Sequence, residues 1–374
     1  MSKLDISSKN MKEKTMWPNR RLLDLLGIEL PIVQAPMAGA QGAAMTIAVS
    51  SAGGLGSLPC AMLDEEKIRA AVSLIRQQTG NPFNMNFFCH RGDPATAADE
   101  ARWKDRLAPY YSEAGLDSTA VAPAPHRRSF DEGLCAVVEE TRPEVVSFHF
   151  GLPDAALLDR VKATGAHILA SATTVAEARW LVEHGADAII AQGYEAGGHR
   201  GMFLTRDITA QPGVMALIPQ VVDAVDVPVI AAGGIADGRG IAAAFALGAS
   251  GVQMGTAYLF TPEATISDIH RAALHSAADD QTVITNIFSG RPARGLINRI
   301  IREAGPIAPE APPFPAASAA LAPLKAAAEK AGSGDFSSLW SGQAAALARD
   351  LDAGELTRAL ASEASQRLAL LAGV

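Results

Sequence analysis

VPVIAAGGIADGRGIAAAFALGASGVQMGTAYL, residues 227–259, contains one whole strand–turn–helix–strand unit. VPVIAA is a short apolar run of the kind that forms a strand buried on both faces, and the two glycines after it allow a sharp turn. Asp237 stands where a helix N-cap belongs, ahead of GRGIAAAFALGA. Gly248 stops that helix before a second apolar run, residues 251–259. No residue from Ile241 to Phe260 is charged, yet Gly248, Ser250, Gly251, Gln253, Gly255 and Thr256 fall inside the stretch. That polarity suits a buried helix followed by a buried strand rather than a membrane span.

The same rhythm extends in both directions. Apolar runs bounded by Gly or Pro occur at 31–37, 54–59, 83–89, 145–151, 167–173, 188–193, 227–234 and 251–259. Eight such runs with helical segments between them predict an α/β fold, a closed (β/α)8 TIM barrel. Residues 175–185, VAEARWLVEHG, carry apolar positions at helical spacing and a glycine stop; the first helix slot, QGAAMTIAVSSAGG, is weaker because glycine and serine dominate it. Residues 90–144, with the turn-rich APAPHRR and the acidic DEGLCAVVEETRPE, form an insertion after the third strand. The expected organisation is an N-terminal arm at 1–22, a barrel at 23–260, and barrel closure plus a smaller C-terminal helical cap at 261–374.

The composition narrows the function classes. Hydrophobic residues make up 48% and charged residues 19% of 374 positions, a globular balance. A net charge of −8 argues against nucleic-acid binding. Cys60, Cys89 and Cys135 lie far apart without metal-ligand spacing, so neither a disulfide framework nor a metal site is expected. The N-terminal MSKLDISSKNMKEKTMWPNRR lacks the apolar stretch of a signal peptide, and a flexible arm in a cytoplasmic protein is expected.

In a (β/α)8 barrel the chemistry sits at the C-terminal ends of the strands. Those ends supply Pro36 and Met37, Pro59, Asn86, His149, Ser171 and Thr173, Gln192, Gly233 and Gly234, then Gly255 and Thr256. These are small or polar groups with two histidines and no carboxylate cluster, which suits a large flat cofactor better than a metal. AQGYEAGGHRG, residues 191–201, delivers His199 on bare backbone after the sixth strand. Glu195 in that loop either orients His199 or faces solvent. His149 is either a core histidine or a residue of the barrel mouth; strand alternation places Phe148 and Phe150 on the opposite face from it. The glycine turns after strands seven and eight lie where barrels of this class bind phosphate.

Several motifs together resemble the nitronate monooxygenase family, also called 2-nitropropane dioxygenase. They are QAPMAGA at 34–40, FNMNFF at 83–88, SFHFG at 147–151, AQGYEAGGHRG at 191–201, AAGGIADGRG at 231–240, QMGTAYL at 253–259 and FSGRPARGLINR at 288–299. The resemblance covers roughly Pro31 to Gln343. It implies FMN as cofactor, held by Ala35, Pro36 and Met37 near the ring, by Asn86, Gln192, Gly197 and Gly198, and by Gly233, Gly234, Gln253, Met254, Gly255 and Thr256 toward the phosphate. It further implies His199 as catalytic base and His149 as a wall of the substrate pocket.

The implied reaction is oxidation of a nitronate by O2 to a carbonyl compound and nitrite, in a monomer or homodimer whose partners are the small nitronate or nitroalkane and O2. An imidazole titrating near neutrality can take the acidic α-proton of a nitroalkane, or hold the anionic nitronate once charged. The alternative is an FMN-dependent NAD(P)H reductase of quinones or enoyl thioesters; further from it stand a flavin carrier without turnover and a flavin-free lyase. One departure concerns the cap, where PPFPAASAALAPLKAAAEK carries Phe314 and Lys325 but no tyrosine, which points to a more apolar substrate side.

Overall fold

A computed structural model describes residues 17–92, 94–117 and 127–373. Most of the expected N-terminal arm and the segment 118–126, including the start of APAPHRR, lie outside the described residues. Eight strands form the central sheet: β1 (Ile32–Gln34), β2 (Gly56–Pro59), β3 (Phe83–Phe88), β4 (Val145–His149), β5 (His167–Ala172), β6 (Ala188–Gln192), β8 (Val229–Ala232) and β9 (Gly251–Met254). Their order is β1-β9-β8-β6-β5-β4-β3-β2, every neighbouring pair parallel. The ends meet where Gln34 N–H donates to Leu55 O and Leu55 N–H donates to Ile32 O, both at 2.9 Å, closing the ring. All eight runs therefore appear as barrel strands, and the (β/α)8 expectation holds.

Two local expectations need correction. The run 251–259 is strand only as far as Met254; Thr256–Phe260 is a 3-10 turn that buries Tyr258, whose hydroxyl meets Thr357 at 2.8 Å. Apolar character alone did not distinguish a strand from a buried turn. The weak first slot is a helix, Ala43–Ser51, stabilised by packing rather than propensity: a side chain at Gly56 would approach Thr46 O to 2.1 Å, so only glycine lets helix and β2 meet this closely.

Both expected helices form, at 175–183 and 238–246: Asp237 caps the second as expected, accepting from Arg239 and Gly240 N–H, and Thr174, not foreseen as a cap, accepts from Glu177 N–H at the start of the first. The long helix Ala353–Ala372 packs on the helices 238–246 and 43–51, filling the gap between β9 and β1 on the outside of the barrel. After β3 the chain makes two helices with different destinations. Glu132–Thr141 joins the outer layer between helices 65–78 and 155–163. Ala97–Glu113 instead packs on Ala317–Lys330, with Trp103 Nε1–H donating to Ala317 O (3.0 Å) and the Tyr111 hydroxyl donating to Ala320 O (2.6 Å). Trp103, Leu107, Tyr110 and Tyr111 share a separate apolar core with Ile287, Ile301, Leu321 and Phe336. A second sheet sits at the same end: β7 (Gly198–His199), β10 (Thr282–Thr285) and β11 (Ala293–Leu296), with His199 opposite Ala293.

Candidate functional site

The C-terminal strand ends and the lid built by residues 282–344 enclose a cavity of about 590 Å³, within the range of small-ligand sites (~300–1,000 Å³). Both histidines and every residue expected to hold the cofactor line it: Ala35, Pro36, Met37, Asn86, His149, Gln192, Gly197, Gly198, His199, Gly233, Gly234, Gln253, Met254, Gly255 and Thr256; of the other strand-end residues Ser171 lines it, while Pro59 and Thr173 do not. A parallel barrel delivers them together because each strand ends at the same face.

Local chemistry fixes each part. Asn86 donates Nδ2–H to Ser147 Oγ (2.9 Å), continuing a polar row in which Asn84 donates to Ser57 and Ser147. Gly233 and Gly234 have φ of 113° and 67°, backbone that side chains adopt only under strain. Thr256 Oγ1 accepts from Gly342 N–H at 2.9 Å, lacing the lid to the end of β9. Gln253 Oε1 is buried with no hydrogen-bond partner among the described residues, an acceptor on the cavity wall that a ligand donor would satisfy.

The histidine loop is clamped from several sides. Gln192 donates Nε2–H to His199 O (3.0 Å) and accepts from Gly201 N–H (2.7 Å), so its amide is committed to the loop. Fully buried Arg200 donates to Gln192 O and Gly193 O, and fully buried Glu177 accepts from Thr173, Phe203 and Leu204. Glu195 takes neither role considered for it: its carboxylate accepts from Val214 N–H at 2.9 and 3.0 Å, at the start of the helix Val214–Val222, where the helix dipole favours an anion.

His149 Nε2 meets His199 O at 3.2 Å, a contact only a donor can make, and its Nδ1 meets Ser171 Oγ at 3.0 Å. His149 therefore belongs to the mouth, with both ring nitrogens held by the protein. The alternation argument fails one residue later. Phe150 follows the strand with φ 72°, which swings its ring to 6.0 Å from His199 and 5.8 Å from Phe314. Phe88, Phe150 and Phe314 thus form an apolar wall beside the histidines. The tyrosines of the second core, Tyr110 and Tyr111, come from the insertion.

His199 Nε2 lies 2.9 Å from Ser289 Oγ. Ser289 Oγ also lies 3.3 Å from Arg291 O; with the serine proton directed to that carbonyl, Nε2–H of His199 donates to Ser289 and the lone pair stands on Nδ1. Ser289 lies in the quoted FSGRPARG stretch, but its pairing with position 199 arises only when β11 comes beside β7. Burial, then the charges of Arg127, His149 and Arg291, hold the His199 pKa well below its ordinary value. Burial and Arg291 push His149 down to about 3. Both rings are neutral near pH 7, so His199 carries a charge only after it has taken up a proton.

Among the described residues, no group of three His, Cys, Asp or Glu is placed to hold a metal ion, and no helix is long and apolar enough to cross a membrane. A nitronate monooxygenase family model matches residues 19–363. A nitronate monooxygenase of Pseudomonas aeruginosa is 44% identical over 345 residues, covering 92% of this chain and 98% of its own; one of Paraburkholderia phytofirmans is 43% identical, covering 93% and 96%. The crystal structure of a nitroalkane oxidase from Streptomyces ansochromogenes superposes with a TM-score of 0.84 at 39% identity, covering 94% of this chain and 99% of that one. FabK from Thermotoga maritima superposes at 0.70 with 29% identity. With a family model matching residues 19–363 and relatives above 40% identical over more than nine-tenths of the chain, the chain belongs to the nitronate monooxygenase family of enzymes.

Proposed function

We propose that this protein uses FMN to oxidise alkyl nitronates with O2, releasing a carbonyl compound and nitrite. The observation that carries the reading is the cavity itself, where the Gly233–Gly234 turn and an orphaned Gln253 acceptor face a neutral imidazole across one enclosed space. Those groups fit a flavin mononucleotide. Gly233, Gly234 and the Gln253–Thr256 end would hold its phosphate on exposed amides. Ala35, Pro36, Met37, Asn86, Gln192, Gly197 and Gly198 would border the ring. Bound FMN supplies the electron carrier between substrate and O2 that no side chain provides.

The chain's own residues do the rest. His199 presents Nδ1 as the proton acceptor for a neutral nitroalkane; its affinity for that proton rises as negative charge develops on the substrate beside it. His149 holds the His199 carbonyl and so the loop geometry. Phe88, Phe150 and Phe314 exclude water from the alkyl side. The test is anaerobic mixing of the yellow holoenzyme with a primary nitronate and, separately, with NADH, followed by a nitrite assay in air. Flavin bleaching by the nitronate with nitrite formation in air is expected. Bleaching by NADH alone, with no nitrite, overturns the proposal in favour of a reductase.

A further inference from the structure

We propose that Arg127 anchors the negatively charged end of the substrate, an inference that rests on the anionic nitronate of the preceding reading. Among the described residues two permanent cations line the cavity, Arg127 and Lys325. Lys325 already has a counter-charge, with Nζ 3.7 Å from the Glu329 carboxylate. Arg127 has none among the described residues, and its Nη1 is buried there without a hydrogen-bond partner. The guanidinium lies 5.4 Å from the centre of the Phe314 ring, which itself packs 5.6 Å from His199. That places it on the apolar, histidine side of the cavity. Burial lowers the Arg127 pKa, but a guanidinium remains charged near neutrality.

A buried cation without a partner is unfavourable, and an arriving anion offsets that cost with charge-assisted hydrogen bonds. The neighbouring groups leave that task to Arg127. His149 and His199 are neutral, and Arg291, stacked 3.9 Å over Phe150, already donates to Met202 O. A planar guanidinium matches two oxygens on one trigonal centre, the arrangement in a nitronate. Arg127 therefore acts as a specificity residue: it favours the ionised substrate over the neutral nitroalkane.

The probe is inorganic nitrate, a trigonal oxyanion, titrated calorimetrically into the holoenzyme. Wild type is expected to bind it, Arg127→Met to bind it more weakly by about tenfold or more, and Arg127→Lys to recover part of the loss. In turnover, Arg127→Met should raise KM for a primary nitronate by a similar factor and affect the neutral nitroalkane less, with flavin content near wild type. Arg127→Gln carries the same comparison if the Met variant does not fold. Equal nitrate affinity in wild type and the folded variants, or no nitrate binding by wild type, overturns the proposal. The titration needs no turnover, so a protein that binds nitrate through Arg127 yet forms no nitrite refutes the proposed reaction and leaves the anchor standing.

Discussion

Replacing Glu177 by Gln should loosen the loop that carries His199 without touching the cavity. Glu177 is fully buried and makes four hydrogen bonds: Thr173 N–H and Oγ1–H at 2.7 Å to one oxygen, and Phe203 and Leu204 N–H at 2.6 and 3.1 Å to the other. Glutamine keeps the shape and the second oxygen but turns the first into an amide nitrogen. Thr173 N–H then faces a donor, and Thr173 Oγ1 is already an acceptor for Gln211 Nε2–H at 2.9 Å, so the backbone N–H has no replacement partner. An orphaned buried N–H costs about 2 kcal/mol, and loss of the charge on the surviving bonds about 1 kcal/mol more, giving about 3 kcal/mol in all. Urea unfolding followed by far-UV circular dichroism reads that loss directly. Because Phe203 and Leu204 follow His199 by a few residues, kcat should also fall by on the order of tenfold, with flavin content unchanged. A stability change within about 0.5 kcal/mol of zero, typical of an ordinary surface substitution, would show that the carboxylate is not what fixes the loop.

Three other outcomes follow from the same geometry. Gly234→Val places a Cβ 3.2 Å from Glu195 Cβ at a φ of 67°; the folded variant should lose FMN on gel filtration, and full retention of yellow colour would remove the turn from the phosphate site. His149 has a folded pKa of about 3 against an unfolded value of ~6.5, so the unfolded chain binds the extra proton and stability declines as pH drops below ~6.5, levelling off only below about 3. At pH 5 that contribution is about 2 kcal/mol, and His149→Gln should lose that much less stability than wild type between pH 7 and pH 5 in urea titrations; identical losses would contradict a neutral buried His149. His199 is likewise held below its ordinary value, so kcat/KM for a nitronate should stay level from pH 8 through ~6.5, and His199→Asn should keep FMN while sharply reducing turnover of neutral nitroalkanes. A titration step near ~6.5 that disappears in that variant would place a normal imidazole there.

The strand runs, their glycine stops and the cap at Asp237 are local properties, and so the barrel and the set of residues at its mouth were readable from the chain. The end of β9 at Met254 was not, because an apolar stretch looks alike in a strand and in a buried 3-10 turn. The placements of Glu195, Ser289, Phe150 and Arg127 come only from the tertiary structure. A carboxylate three residues beyond a strand meets the start of a helix, a serine ninety positions away meets His199 across a second sheet, one positive φ turns a ring toward the site, and a guanidinium from the insertion finds itself on the cavity wall without a counter-charge among the described residues. Periodicity and capping act over a few residues and are written in the sequence; which buried charge lacks a partner depends on every segment that packs around it, and only the folded chain fixes that.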